Sequence, residues 1–139
     1  MGLWSKLKEI FAGKSVETFQ GLEEDLKKLF RKCNLRLVAL VGTTSKIKGL
    51  PLIYAAENED EIRVFSAKLI NLIEPIKDLS DGKKIKNARI TYEDQIIYTE
   101  PILENISFLA IYKQKNDIYN IKQWINNNKS NLKLLVNKE

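Results

Sequence analysis

The stretch "KGLPLIYAAENEDEIRVFSAKL", Lys48–Leu69, decides how the chain is read. Its first half is short and apolar, so Leu50–Ala56 is expected to be a strand. Pro51 has no backbone N–H to give to a ladder, which places that strand at a sheet edge or Pro51 at its entrance. The second half switches period. Ile62, Phe65, Leu69 and Ile73 recur at helical spacing, and Val64, Ile70 and Ile76 widen the stripe. Glu57, Glu59, Asp60 and Glu61 crowd the start, where the helix macrodipole favours negative charge. Pro75 is expected to stop or kink this helix near Glu74.

Upstream, "LRLVALVG" (Leu35–Gly42) is almost continuously apolar and reads as a strand buried on both faces. It is expected to pair as a hairpin with Leu50–Ala56 through "GTTSKIKG" (Gly42–Gly49), a polar, solvated turn. Before it, Ser15 is a plausible N-cap for a helix running to about Lys32. Phe19, Leu22, Leu26, Leu29 and Phe30 form its apolar face, and acidic residues precede basic ones along it.

Downstream, "SDGKK" (Ser80–Lys84) is a turn cluster. Ala88, Ile90 and Tyr92 then alternate, a turn falls at Glu93–Gln95, and Ile96, Ile97 and Tyr98 resume the extended pattern, which is a hairpin. Ile106–Lys113 is a fifth strand, apolar on both faces. Asn116–Asn128 is a last helix with Ile118, Ile121, Trp124 and Ile125 on one side, and "LKLLV" (Leu132–Val136) is a short apolar patch, helical or docking. This order predicts an α+β sandwich: one five-stranded antiparallel sheet flanked by helices, with the first and fifth strands central and adjacent.

Composition narrows function mainly by exclusion. The 139 residues make one domain's worth. With 23 basic and 18 acidic residues, the net charge of +5 suits an acidic partner or an anionic surface. No nucleic-acid partner is expected. There is no histidine, which removes every His-dependent base, nucleophile pair and metal site. Cys33 is the one cysteine, so no intrachain disulfide forms; a structural thiol in a reducing, cytoplasmic setting is expected. The glycines of "GTTSKIKG" lack the G-x-x-x-x-G-K-[ST] spacing that wraps a phosphate. "YEDQ" (Tyr92–Gln95) puts two acids at a hairpin tip, where a turn explains them. Tyr92, Tyr98 and Tyr112 read as sheet packing. No catalytic residue, cofactor site or metal site is expected, and the chain is not read as an enzyme.

The opening segment "MGLWSKLKEIFAG" (Met1–Gly13) reads as a separate amphipathic helix. Leu3, Trp4, Leu7, Ile10 and Phe11 form its stripe, with Lys6 and Lys8 beside it. Its lysines break up any secretory h-region. Lys6 stands where a myristoylation pattern needs Ser or Thr. The stripe must cover its own domain, an anionic membrane surface or a protein partner. The chain thus divides into an N-terminal helix, 1–14, and a domain, 15–139.

Two stretches carry a family resemblance. "KGLPLIYAAENEDEIRVFSAKL" resembles the second strand and long helix of the roadblock (dynein light chain) family, including its Gly-Leu-Pro opening. "ARITYEDQIIYTEPILENISFLAIY" (Ala88–Tyr112) resembles that family's three-strand meander. The basic turn "TTSKIKG" departs from the acidic-Gly turn usual there, and 1–14 lies outside the family core. The longin domain is the nearest alternative, a trafficking module, but it starts with strands rather than a helix. The expected fold is therefore a roadblock/longin-like sandwich. The resemblance implies a non-catalytic homodimer joined through the long helix and third strand, acting as a scaffold or regulator of a small Ras-like GTPase. The matching elements here are the Glu59–Glu74 helix and the Asn87–Tyr92 strand, which nominate Ile62, Phe65, Ser66, Leu69, Ile70, Ile73, Ala88, Ile90 and Tyr92 as dimer or GTPase contacts. The opening helix adds a second expectation, a peripheral membrane adaptor at the inner face of the membrane.

Overall fold

The computed structural model describes residues 15–113 and 117–136. Leu3, Trp4, Lys6, Leu7, Lys8, Ile10 and Phe11 lie outside the described residues. The elements in order are α1 (Ser15–Cys33), β1 (Leu37–Gly42), β2 (Pro51–Ala56), α2 (Glu59–Leu79), β3 (Ala88–Thr91), β4 (Ile96–Leu103), β5 (Ile106–Tyr112) and α3 (Asp117–Val136). The strands form one antiparallel five-stranded sheet in the order β2-β1-β5-β4-β3.

β1 and β5 are adjacent in the sheet interior, and every residue of both is buried. Their alternation feeds two cores. Val38 and Leu40 of β1 and Phe108, Ala110 and Tyr112 of β5 face α1 and α3. Leu37, Ala39 and Val41 with Leu109 and Ile111 face α2. Leu22, Leu26, Leu29 and Cys33 of α1 meet Ile118, Ile121, Trp124 and Ile125 of α3 in the first core. The Phe108 and Trp124 rings lie 5.8 Å apart and tilted. Each fully buried side chain of this size stabilises the fold by about 1.5–3 kcal/mol over its exposed state. Burial pushes the Cys33 thiol up from its ordinary pKa, which keeps it protonated and inert.

Local chemistry sets where the elements stop. Asn34 adopts a positive φ of 50° just past α1. The Leu35 N–H then donates to the Phe30 carbonyl and the Asn34 N–H to that of Arg31, a Schellman cap. Leu35 is spent on that cap, so β1 begins at Leu37 rather than at Leu35. β2, with Pro51 at its start, is an edge strand. The hairpin tip at Tyr92–Gln95 closes with the Tyr92 N–H donating to the Gln95 carbonyl at 2.8 Å.

Two expectations are corrected and one open alternative is decided. α2 does not stop near Glu74 but runs through Pro75 to Leu79. Ile73 before Pro75 and Ile76 after it both stay at least partly buried. Glu74 pairs with Lys48 at 2.5 Å. This anchoring on both sides offsets the roughly 3 kcal/mol a proline costs inside a helix. The last helix absorbs "LKLLV", because Leu132 falls in phase with Ile121 and Ile125 and is fully buried. Asn128, also buried, donates its Nδ2 to the Trp124 carbonyl, so the amide-rich run does not break the helix. Finally, "GTTSKIKG" is more than a solvated turn. Ser45–Ile47 form a 3-10 turn that tucks Ile47 into the first core.

Gly21 lies exposed within α1, and a methyl added there would meet nothing within 4 Å. Gly21→Ala should therefore stabilise the fold by about 0.5–1 kcal/mol, the helix cost of glycine relative to alanine. A raised urea midpoint with an unchanged slope is the expected reading.

Candidate interaction surface

α2 lies over β2 and β1, toward one side of the sheet. Of the nominated residues, Ile62, Leu69 and Ile73 point into the core beneath the helix. Ser66 is fully buried, and Ile70 is buried against Gly49. These five side chains face the protein's own interior and offer almost no surface. Phe65 is different. It sits half-buried on the flank of α2, and Leu72 and Ile76 continue that flank seven and eleven residues later, also half-buried.

The sheet supplies the other half of the surface. Ile90 pairs with Ile97, and Ala88 with Thr99. Ile97 pairs in turn with Ile111 and packs on the α2-side core. Ala88 and Ile90 therefore face the same side as α2, and alternation carries Tyr92 there as well. Ala88, Ile90 and Ile97 are half-buried, while Tyr92 is 51% exposed. Phe65, Leu72, Ile76, Ala88, Ile90, Ile97 and Tyr92 thus make an apolar strip beside a helix that covers only part of the sheet. β3 ends the sheet, and its outer edge is unpaired among the described residues. An open edge presents backbone N–H and C=O groups to a second strand. The half-exposed apolar strip beside it makes this a candidate interaction surface.

The sequence stripe thus nominates the centre of α2 and, of its flank, Phe65 alone. Leu72, Ile76 and Ile97 were not nominated. The signal was present in the seven-then-four spacing from Phe65 to Leu72 to Ile76, which defines a line offset from the Ile62–Leu69–Ile73 line.

One polar cluster holds this surface in shape. Arg36, just before β1, donates Nε and Nη2 to the two carboxylate oxygens of Glu61 at 3.2 and 2.5 Å. Its Nη1 donates to Gln95 Oε1 at 2.8 Å, and its guanidinium stands 5.4 Å from the Phe65 ring centre. A single side chain therefore ties the start of α2 to the β3–β4 turn and braces Phe65. The hydrogen bond from Arg36 holds the Glu61 carboxyl below its ordinary 4.5. A lowered folded value means that this stabilisation is complete above about pH 4.5 and is lost as pH falls through the lower folded value. Urea melts across that acid range should show a shallower loss of stability in Glu61→Gln than in the parent chain.

Among the described residues, no group of three or more His, Cys, Asp or Glu is placed to hold a metal ion. No described helix is long and apolar enough to cross a membrane.

No protein-family model matches the sequence, and no curated protein matches it significantly. Solved structures do match in three dimensions. The gliding protein MglB from Thermus thermophilus superposes with a TM-score of 0.72 at 12% identity, over 94% of this chain and 96% of that one. A structure described as MglB with a tetrameric arrangement gives 0.68 at 12% identity, over 88% and 93%. The Roadblock/LC7 domain from Streptomyces avermitilis gives 0.63 at 9% identity, over 77% and 93%. The chain has the roadblock fold. On the roadblock fold, the elements that the sequence resemblance assigns to pairing are the long helix and the third strand. Here they are α2 and β3, the two elements that border the apolar strip.

Proposed function

We propose that this protein is a non-catalytic, homodimeric binding module that scaffolds or regulates a small Ras-like GTPase. Two copies join along β3 and the neighbouring flank of α2, so that one sheet continues across both subunits. The observation that carries this reading is the open β3 edge beside the strip running from Phe65 to Tyr92. The roadblock fold and an MglB structure described as tetrameric support an assembly of copies. Immobilised full-length protein should retain a Ras-like GTPase from a native lysate, identified by mass spectrometry through its phosphate-loop sequence. Retention of no GTPase under either GDP or GTP-analogue loading would remove the regulatory part of the reading.

A compatible second role rests on the opening segment, read as a unit separate from the domain at 15–139. The stripe Leu3, Trp4, Leu7, Ile10 and Phe11, with Lys6, Lys8 and Lys14 against Glu9, has the composition of an interfacial helix. Each lysine near an anionic surface contributes on the order of 1 kcal/mol, so one copy binds weakly and two copies gain by avidity. The full chain should pellet with anionic liposomes. Trp4→Glu with Leu7→Glu should abolish this, and equal pelleting of both proteins would exclude a peripheral membrane role for the segment.

A further inference from the structure

A cleft of about 730 Å³ opens between the C-terminal half of α2, the segment that follows it, and the β4–β5 turn. That size falls within the roughly 300–1,000 Å³ range of small-molecule sites. It sits at the opposite end of the strip from Arg36, Phe65 and Tyr92. Its apolar walls come from Leu72, Ile76, Ile85, Pro101, Ile102 and Leu103. Thr43, Ser80, Thr99 and Ser107 are the uncharged polar side chains of the lining. Thr99 Oγ1 is already engaged with the Phe108 carbonyl at 2.8 Å. Against the larger apolar part of the lining a polar group would go unpaired at a cost, which favours a hydrocarbon insert.

The mouth has the opposite character. Lys83, Lys84 and Lys133 line it, against the single carboxylate of Glu104. All three lysines are exposed, and none has an ion-pair partner among the described residues. A hydrocarbon slot with a cationic mouth complements a molecule with an apolar tail and an anionic head. The positively charged opening segment, with three lysines and one acid, lacks that complementarity.

We propose that this cleft binds a long-chain fatty acid, its chain along Leu72, Ile76, Ile85 and Ile102 and its carboxylate among Lys83, Lys84 and Lys133. The cleft shares Leu72, Ile76 and Ala88 with the strip proposed for pairing, and its ligand uptake is tested separately from GTPase binding. The full-length protein is titrated with cis-parinaric acid, whose fluorescence rises in an apolar environment, and the probe is then displaced with palmitate. Saturable uptake of one probe per chain is expected, displaced by palmitate at least tenfold more effectively than by hexadecanol. Ile85→Asp, in a loop outside both cores, should abolish uptake. Lys83→Glu with Lys84→Glu should weaken it at least tenfold, while Lys28→Glu with Lys32→Glu on α1 should leave it unchanged. Circular dichroism of each variant should match the parent. Any of four results would overturn the proposal: no saturation, equal displacement by the uncharged alcohol, indifference to the Lys83 and Lys84 changes, or stronger displacement by an acidic amphipathic peptide than by palmitate. Increased uptake by full-length Trp4→Glu, Leu7→Glu would instead assign the cleft to the opening segment and would equally overturn it.

Discussion

Tyr92→Asp and Ile90→Asp should each convert a particle of about twice 16.1 kDa into a monomer of 16.1 kDa by sedimentation velocity. In a two-fold pairing along β3, every contact between a residue and its partner across the axis is made twice. One substitution therefore removes apolar contact twice and brings two carboxylates into a desolvated interface. Losing an aromatic anchor at the centre of an interface costs about 2 kcal/mol or more, roughly thirtyfold in affinity, before the cost of burying the new charges is added. Tyr92 is the cleaner site, because it is already 51% exposed and its removal costs the fold little. Ile90 is half-buried against Ile97, so its loss also weakens the β3–β4 pair. Tyr119→Asp is the control. Tyr119 is 74% exposed, but it lies on α3, a helix of the other face of the sheet, and its change should leave the dimer intact.

Gly42→Ala should destabilise the fold by about 3 kcal/mol or more, although it adds a single methyl. A Cβ on Gly42 would lie 2.1 Å from the Ile47 carbonyl oxygen and 2.7 Å from its carbonyl carbon. Both are backbone atoms, so no rotamer change relieves the overlap. The Gly42 N–H also donates to the Leu50 carbonyl, and its own carbonyl accepts from the Gly49 N–H at 2.8 Å. The methyl would force the 3-10 turn off the end of β1, pull Ile47 from its core and break the pairing that begins β2. A urea midpoint only slightly below that of the parent would show that the turn yields more easily than its hydrogen bonds indicate. Gly21→Ala, identical in chemistry, should move stability the other way.

The fold was legible in the sequence because its two most apolar strands carry no ambiguity. Leu37–Gly42 and Ile106–Tyr112 have no polar face to turn to water, so they had to be central, with helices on both sides. The boundaries were less legible because tertiary burial overrode local preference. Pro75 should have ended α2, but Ile73 and Ile76 hold the helix down on both sides of it. The apolar spacing defines the last helix only to Asn128, but Leu132 lies one further helical turn along the buried line. The hairpin turn looked wholly polar because one isoleucine among lysines and hydroxyls does not reveal that it is tucked inward.

The candidate surface was legible by element but not by residue. A stripe as wide as Ile62 to Ile76 shows that α2 packs on something, yet it does not show how much of the stripe its own sheet consumes. That depends on where the helix sits across the five strands. Because α2 lies toward β2 and β1, its centre line is spent on the protein's own core and only the Phe65–Leu72–Ile76 flank remains. Ile97 escaped notice for a related reason. It adjoins Ile96 in sequence, and only the register with β3 and β5 tells which of the two faces α2.

Hydrogen exchange at the outward-facing amides of Ala88–Thr91, followed in the full-length protein as a function of concentration, tests the proposed pairing most directly. If two copies join along β3, these amides are protected at micromolar concentration and lose protection together on dilution, while β5 amides stay protected throughout. Fast exchange along β3 at every concentration, beside a protected β5, would contradict a dimer built on that edge.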